Sequence, residues 1–445
     1  MRTLLIAAVL LTAAVARAEE IIEVRVEDNR KTTSDTVKLI AGIDDGDDWT
    51  PDMVDLVTQR LVTSGLFKDV KVFSEPSGEG GVIVHLIVED KHSWVIAPAF
   101  YDQPTNKGGG IGFGENNLFG RNQKLLIYGQ VATGDTFFVG AFVDPSLWGT
   151  RLRAQYDLYL ASNRIIEYAP PSAYRDDPLP VRESRLHYLN NGLKVGARLW
   201  GKTTFDVRLR AAHVGYQDVK LADGATLDQT TTDPNATQPP PPGAGGWDVS
   251  GELFFGIDTR ANWYGLSAGH KIVAMFEQAL PSLGSDFRYW DASLYMERAT
   301  RVFEEHNLVL KGQIAYGHDL PFQQEFTSGG TTMRGWKNMQ LRGDFQLAGN
   351  AEYSVPMFTV HGLAVRGLAF WDTTYTTFVD KQTGDTFRNY LPGSEARGLA
   401  PFKNSVGVGT RLYLRQIVLP LLGLDFGYGV ERGDYEIYLA IGLTD

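Results

Sequence analysis

The stretch that decides the fold is 151–160, which reads RLRAQYDLYL. Along it apolar and polar residues alternate strictly: Leu152, Ala154, Tyr156, Leu158 and Leu160 fall on one side, and Arg151, Arg153, Gln155, Asp157 and Tyr159 on the other. Because successive side chains of a β-strand point to opposite faces, this period of two predicts a strand with one apolar and one charged face. The same period returns at 205–211 and at 435–441.

The polar face of these strands indicates where they lie. A soluble sandwich also alternates, but here the polar face carries arginines and aspartates strand after strand, while the other face is aliphatic or aromatic. An apolar outer surface and a charged, wet interior are typical of a transmembrane β-barrel. A closed barrel is also the only spanning structure other than a helix that satisfies its own backbone hydrogen bonds.

Strand-like segments recur through the whole C-terminal part of the chain. Sixteen are predicted, near 94–101, 109–116, 123–132, 136–143, 150–161, 187–200, 202–216, 248–258, 264–277, 287–300, 306–317, 345–355, 360–373, 404–414, 420–430 and 434–443. An even number lets the first and last strands close on one another in antiparallel fashion. The fold class is therefore mostly β: a 16-stranded antiparallel transmembrane β-barrel, preceded by one small β-α-α-β-β domain.

Connector lengths support this prediction independently. Every second connector is tight, at Gly201, 259–263, 301–305, 356–359 and 415–419, and the long polar ones lie between them, at 162–186, 217–247, 318–344 and 374–403. Outer-membrane barrels have short periplasmic turns and longer external loops. The alternation therefore places the small N-terminal domain and the last strand's end on the periplasmic side.

Composition excludes several classes of function. The 445 residues carry 53 Asp and Glu against 42 Lys and Arg, for a net charge of −11, and the chain has no cysteine. An acidic chain without a basic run is a poor nucleic-acid binder, since phosphate binding needs clustered cations. The absence of cysteine excludes disulfides, thiolate metal sites and a thiol nucleophile. The eight histidines show no metal-binding spacing, so neither a metal nor a cofactor is expected.

The N-terminus predicts export. Arg2 precedes an apolar run from Leu4 to Val15, and Ala16-Arg17-Ala18 forms a small-residue cleavage site. This is the pattern of a secretory signal peptide, and the run is shorter than the roughly 20 residues of a spanning helix. We therefore expect residues 1–18 to be a cleaved signal peptide, 19–91 the small domain and 92–445 the barrel.

The small domain has a recognisable pattern of elements. Period-two strands near its two ends enclose an amphipathic helix over the fifties, which Gly65 ends. The stretch 60–70, with Gly65, Leu66 and Phe67 at its centre, resembles the helix-end signature of polypeptide-transport-associated (POTRA) domains. Another small α/β module is the alternative.

The barrel resembles a known family through several motifs in the same order. The motifs are Asn117–Arg121, Asp144-Pro145, the mid-barrel turn containing Asp258 and Arg260, Met333-Arg334-Gly335-Trp336 in the sixth long loop, 349–353, 370–372, 407–411 and 424–429. With these motifs, one POTRA domain followed by a surface-antigen-type barrel is similar to the BamA/TamA superfamily of outer-membrane insertases and translocases. Met333 and Trp336 depart from the family's Val/Ile-Arg-Gly-Phe/Tyr signature.

Arg334 is the principal candidate site residue. A loop folded into the lumen with one guanidinium would need carboxylate partners there. Glu352 and Asp372 are the natural acceptors on the two strands that follow, as the resemblance also implies. A planar fork between them would pin the loop, with Gly335 and Trp336 beside it. The alternative is a solvated surface loop.

The first strand suggests a second candidate site. Pro98 lies at its centre, between Trp94 and Tyr101, and proline cannot donate to a β-ladder. The last strand, with Tyr435, Ile437 and Leu439, must close on this one. A seam with fewer hydrogen bonds would be a lateral gate at which a client strand could add. If the nitrogen of Pro98 faces the second strand instead, the seam is ordinary.

The resemblance implies an outer-membrane protein assembly or translocation factor of a Gram-negative-type bacterium, with its POTRA domain in the periplasm. Its partners would be unfolded outer-membrane or secreted client proteins and the lipid bilayer, and the resemblance allows periplasmic or lipoprotein accessory subunits. The alternatives are a secretion pore for one dedicated partner, as in two-partner secretion, and a structural barrel with a docking POTRA domain. An enzyme is not expected: the G-x-S-x-G match at 265–269 begins a barrel strand rather than a strand-turn-helix elbow.

Overall fold

The computed structural model describes residues 19–78, 80–103, 105–168, 180–231, 233–263, 266–360, 363–379, 402–414 and 420–441. The expected signal peptide at 1–18, the turn at 415–419 and parts of the loops at 162–186 and 374–403 lie outside the described residues. The chain forms two compact units, Met1–Trp94 with Glu115–Lys124, and Val95–Gly114 with Leu125–Asp445. Among the described residues, no helix has the length and apolar character needed to cross a membrane.

The small N-terminal domain is a four-stranded sheet covered by two helices. Its elements are β1 (Glu19–Glu27), α1 (Ser34–Ala41), β2 (Asp48–Trp49), α2 (Met53–Thr63), β3 (Phe67–Pro76) and β4 (Val82–Asp90). The strand order is β2-β1-β4-β3; β1 and β4 run parallel, and the other pairs are antiparallel. This confirms the predicted β-α-α-β-β arrangement and adds the two-residue strand β2, which is too short to show a period in the sequence.

The residues of the predicted signature, Gly65, Leu66 and Phe67, form a turn and contribute to the domain's hydrophobic core. The helix α2 ends at Thr63, and Gly65 turns the chain with a φ of 73°, a conformation that residues other than glycine rarely adopt. Leu66 and Phe67 are then buried with residues of both helices and of β1 and β4. The three residues therefore stop the helix and return the chain to the sheet.

The open face of this sheet carries one histidine between two carboxylates. His85 on β4 lies 2.8 Å through Nδ1 from Glu27 and 3.2 Å through Nε2 from Glu75, and its ring stacks on Phe73. The Glu27 carboxylate raises the pKa of His85, and Glu75 adds to the effect. Since a neutral imidazole has one N–H, only the charged form donates to both carboxylates.

The sixteen predicted strands are confirmed, and they close into an antiparallel barrel. They are β5 (Trp94–Gln103), β6 (Asn106–Leu118), β7 (Gln123–Ala132), β8 (Asp135–Asp144), β9 (Leu152–Tyr168), β10 (Pro180–Arg198), β11 (Thr203–Leu221), β12 (Gly246–Asp258), β14 (Leu266–Ala279), β15 (Trp290–Val302), β16 (His306–His318), β19 (Phe345–Val360), β20 (Leu363–Thr377), β21 (Lys403–Leu414), β22 (Pro420–Gly429) and β23 (Asp434–Ile441). A three-residue strand, β13 (Ala261–Trp263), pairs with β14, and β23 pairs with β5 to close the barrel.

The two faces of the barrel wall differ as the sequence predicts. In β9 the side chains of Leu152, Tyr156 and Leu160 are exposed on the outside. Arg153, on the opposite face, forms an ion pair with Asp206. Large exposed apolar side chains on many strands form a surface suited to lipid, while charged residues pair with one another inside.

Candidate functional site: the charged lumen and its inserted loop

A long connection between β16 and β19 folds back into the barrel. We call residues 319–344 the lumen loop. It contains a small hairpin in which β17 (Phe326–Ser328) pairs with β18 (Leu341–Gly343). Near its tip Met333 and Trp336 are 1% and 0% exposed, packed with Leu341. The loop therefore has a fixed conformation of its own and a buried tip.

The tip is held by the Arg334 guanidinium. Its Nε and Nη2 each donate to Asp372 at 3.0 Å, in a bidentate arrangement, and its backbone N–H donates to the same carboxylate at 3.1 Å. Its Nη1 donates to Glu352 at 3.2 Å and to Asp425 at 3.4 Å. One cation of the loop thus joins carboxylates on β19, β20 and β22.

Two further groups complete this charge network. Asp425 also accepts both terminal nitrogens of Arg411, at 2.6 and 2.8 Å, so two guanidinium groups share it. The Arg334 guanidinium carbon lies 3.4 Å from the centre of the buried Phe370 ring, in a cation–π contact. Three carboxylates and two arginines are thereby paired with one another around the loop tip.

The backbone beside Arg334 lies directly against β22. Gly335 has a φ of 92°, and a Cβ there would lie 2.7 Å from the backbone nitrogen of Gly429. A Cβ on Gly427 would lie 2.7 Å from the backbone of Arg334 and Gly335. The glycines of both segments are therefore required for the loop tip to approach the strand this closely.

Hydrogen bonds to the last strands hold the two residues after Arg334. The Tyr438 hydroxyl accepts from the Gly335 N–H at 3.0 Å and donates to the Trp336 carbonyl at 2.9 Å. The Trp336 indole Nε1 donates to the Asn404 carbonyl at 3.2 Å. The loop tip is thus attached to β19 through β23, the last five strands of the barrel.

The mid-barrel residues Asp258 and Arg260 lie at the end of β12. Arg260 donates through Nε and Nη2 to Asp258 and through Nη1 to both oxygens of Glu297 on β15, at 2.9 to 3.1 Å. A row of directly opposite residues then connects this pair to the loop anchor. The row runs Asp258, Lys271, Glu297, Lys311, Asn350 and Asp372.

All members of this row except Asp258 line a large polar cavity. The cavity has a volume of about 1070 Å³, and both Arg260 and Arg334 border it. Opposite charges in directly facing positions of neighbouring strands stabilise a sheet. The structure therefore brings Arg260 of the predicted mid-barrel pair and Arg334, Glu352 and Asp372 of the predicted loop anchor to one cavity.

The seam residues are only partly brought together. Leu439, Ala440 and Ile441 of β23 face Asp102, Tyr101 and Phe100 of β5. Across the next boundary, β22 and β23 pair along Leu422 to Gly429. Among the described residues, the pairing of β5 with β23 is therefore the shorter of the two.

The remaining predicted seam residues lie outside this paired segment. Tyr435 and Ile437 precede it on β23, with their side chains about half exposed on the outer surface. Trp94 and Pro98 precede it on β5, and residues 442–445 lie outside the described residues. Whether Pro98 weakens the seam stays a prediction.

The sequence does not predict four members of the Arg334 network: Asp425, Arg411, Phe370 and Tyr438. Asp425 was recognised only as part of a family-like segment, and neither Phe370 nor the Tyr438 hydroxyl was assigned a partner. A signal for Asp425 is present: in the predicted strand it alternates with Leu424 and Phe426, which places it on the charged inner face. The tyrosine and phenylalanine contacts depend on strand register, which the sequence does not reveal.

The G-x-S-x-G match and the acidic and histidine side chains were also located in the described part of the structure. Ser267, from the G-x-S-x-G match, lies within β14, with its backbone N–H bonded to the Asn307 side chain, while Gly265 lies outside the described residues. In the same part of the chain, no three His, Asp or Glu side chains are placed to hold a metal ion.

Comparison with known proteins agrees with this geometry. The model of the Omp85 superfamily domain matches residues 117–444. Among solved structures, BamA from Haemophilus ducreyi lacking POTRA domains 1–3 is 14% identical, with a TM-score of 0.66 over 96% of this chain and 84% of that one. CdiB from Acinetobacter baumannii is 14% identical, with a TM-score of 0.62 over 96% and 74% of the two chains.

A second CdiB, from Escherichia coli, is 11% identical, with a TM-score of 0.53 over 98% of this chain and 93% of that one. No curated protein matches the chain. At these identities the structural neighbours show the fold, whereas the family model covers most of the chain and includes the lumen loop. The chain belongs to the Omp85 superfamily of outer-membrane β-barrel proteins.

Proposed function

We propose that this protein assembles or translocates other proteins at the outer membrane, working as a non-catalytic factor without cofactor. The observation that carries the proposal is the Arg334 tip, seated among Asp372, Glu352 and Asp425 inside a closed barrel. A loop that only blocked the lumen would need to fill its volume but would need no specific ion pairs. The specific contacts of Arg334 therefore indicate a further role for the loop. It fixes the shape of the last five strands, which include one side of the seam.

The seam supplies the route in this proposal. Residues 434–438 of β23 face no described residue of β5, since the pairing begins at Leu439. Unpaired strand edges accept further strands by β-augmentation. A client strand would add there and be released into lipid, driven by the burial of its apolar face.

The small domain supplies the capture step. We propose that 19–91 is a periplasmic POTRA domain, that 92–445 is the barrel and that the short turns face the periplasm. The strand β3 is an edge of the domain's sheet and pairs only with β4 among the described residues. Its free backbone groups would bind an unfolded outer-membrane or secreted client before insertion. Periplasmic or lipoprotein accessory subunits would bind elsewhere on the domain.

A second candidate is a secretion pore for one dedicated partner. The polar cavity, bordered by paired cations and anions, favours it, because an unfolded polar chain would pass such a wall without strong retention. A structural barrel with a docking POTRA domain is the third candidate. It requires neither the carboxylate contacts of Arg334 nor the short pairing between β5 and β23.

Depletion of the protein tests these readings. We expect that quantitative proteomics of outer membranes and culture medium after depletion will show the loss of several barrel proteins, regained when the wild-type chain is supplied again. Loss of a single exported protein with an otherwise unchanged outer membrane would instead support the secretion pore. An unchanged proteome in both fractions would leave the structural barrel and contradict the proposal.

A further inference from the structure

The beginning of the lumen loop has its own attachment to the barrel wall, through residues that precede Arg334 in the same loop. The Gln324 side-chain amide donates to Asp248 at 3.1 Å and to the Tyr289 hydroxyl at 3.1 Å. The preceding Phe322 is 3% exposed and packs with apolar residues of β9, β10 and β11. The loop therefore contacts the wall on the side of β9–β15 before it reaches β19–β23.

The side chains that hold Gln324 are themselves held by Arg210 of β11. We call Asp248, Glu277 and Tyr289, with Arg210, the platform of Gln324. The Arg210 Nη2 contacts Asp248 at 3.1 Å, Glu277 at 2.6 Å and the Tyr289 hydroxyl at 2.7 Å. Its other nitrogens donate to the Ser250 hydroxyl at 3.0 Å and the Tyr188 hydroxyl at 2.8 Å. These five partners come from β10, β12, β14 and the segment before β15, so one guanidinium fixes four neighbouring elements.

The charge of Arg210 is what allows this platform to form. Glu252, Glu277 and Asp291 are directly opposite one another on β12, β14 and β15, and all three are at least nine-tenths buried. Like charges in facing positions repel. Arg210 contacts Glu277 at 2.6 Å and Glu252 at 3.4 Å in this row, and it also contacts Asp248 at 3.1 Å. It therefore offsets the repulsion within the row and holds Asp248 in place as the acceptor for Gln324.

Contacts between the beginning and the end of the lumen loop connect the two attachments. Arg342, on the returning limb, donates to Glu325 at 2.8 Å and to the Phe322 carbonyl at 2.6 Å. Its guanidinium carbon also lies 3.6 Å from the centre of the Phe322 ring. Because both limbs are joined here, a displacement at Gln324 must move the tip as well.

From these contacts we infer that Arg210 is a positioning residue: through Asp248 and Tyr289 it seats Gln324, and this second anchor sets where Arg334 meets its carboxylates. The lumen loop is then attached to β9–β15 through Gln324 and to β19–β23 through Arg334, and its position does not depend on a single ion pair. The consequence for client assembly rests on the proposed function, whereas the two-point seating does not.

The strand offers a matched control two residues away. Arg208 is also a lumenal arginine of β11, and it pairs with Asp157 at 2.6 Å and Glu252 at 2.7 Å. No contact of Arg208 with the lumen loop occurs among the described residues. Replacing Arg208 or Arg210 by methionine removes a cation that pairs with Glu252, at 2.7 and 3.4 Å respectively, but only Arg210 contacts Asp248 and the Tyr289 hydroxyl, which hold Gln324.

The readout is the accessibility of the buried loop tip. Since the chain has no cysteine, the substitution Met333→Cys provides one thiol at a position that is 1% exposed. In the full-length protein purified in detergent, we expect Arg210→Met and Gln324→Leu each to raise the labelling rate by a maleimide about tenfold or more, because loop opening becomes easier. Arg208→Met should leave the rate within about twofold, as expected for a change outside the opening unit.

Equal rates in the Arg210→Met and Arg208→Met variants would overturn the inference. If Arg210→Met does not give the heat-modifiable migration of a folded barrel, Gln324→Leu decides alone, because it leaves every charge in place, and an unchanged rate there overturns the inference as well. Client assembly is scored separately. If Arg210→Met and Gln324→Leu label faster but assemble clients normally, the proposed function is contradicted, whereas the inference that the loop has two attachments is supported.

Discussion

Arg334→Ala is expected to leave a folded barrel that has lost most of its client-assembly activity. The substitution leaves the buried Asp372 and the partly exposed Glu352 without the guanidinium that donates to both. Breaking a buried ion pair by removing one partner costs about 3–5 kcal/mol, and the wet lumen lowers that figure. Even about 1.4 kcal/mol would depopulate the seated loop tenfold, so we expect activity to fall by about tenfold or more.

The barrel itself should survive this change, because the strand pairing does not pass through Arg334. Heat-modifiable migration tests the fold, and assembly of a barrel client into proteoliposomes tests activity. Arg334→Lys should restore little, since an ammonium cannot make the bidentate contact with Asp372. The matched control is Arg153→Ala, which removes a lumenal cation paired with Asp206, outside both the Arg334 network and the row of facing residues, and should keep nearly full activity. Full activity of Arg334→Ala would contradict the role of the loop anchor.

Covalent closure of the seam is the second change with a large expected effect. Tyr101 of β5 and Ala440 of β23 are directly opposite. Facing residues have Cα atoms about 4.5–5.5 Å apart, within the range of a disulfide. We expect the oxidised Tyr101→Cys, Ala440→Cys variant to lose about tenfold or more of its assembly activity, because only an open seam is competent, and to regain it on reduction.

A cross-link between ordinary neighbours distinguishes the gate from a general need for flexibility. Ser293 and Ala315 face each other on β15 and β16, far from the seam. The oxidised Ser293→Cys, Ala315→Cys variant should remain active. Undiminished activity of the oxidised seam variant would reject the lateral gate, and the secretion pore through the lumen would then be the better reading of the same barrel.

The barrel could be predicted because its evidence is local. In 151–160 the period of two assigns each side chain to lipid or lumen, and the alternation of short and long connectors orders the strands. The partners of Arg334 were partly predictable for the same reason, since Glu352 and Asp372 lie on the inner faces of the next two strands. The short strand β2 carries no periodic signal, because two residues cannot show one.

What could not be predicted depends on register and on distant closure. Asp425 meets Arg334 only because β22 lies beside β21 with a particular offset, and a shift of one residue would point it toward lipid. The anchor of Gln324 joins residues 76 positions apart in sequence. The close approach of Gly335 to Gly427 is likewise a product of the folded loop, although glycine at both positions permits it.

The location of the lumen loop is the central claim, and labelling of intact cells tests it most directly. The Met333→Cys thiol should react slowly with an impermeant maleimide in an otherwise wild-type chain and rapidly when Arg334→Ala is added. Ser282→Cys, exposed in the connection between β14 and β15, is the positive control and should react rapidly in both backgrounds. Rapid reaction of Met333→Cys in the otherwise wild-type chain, at the rate of Ser282→Cys, would place the loop in solvent and contradict the account.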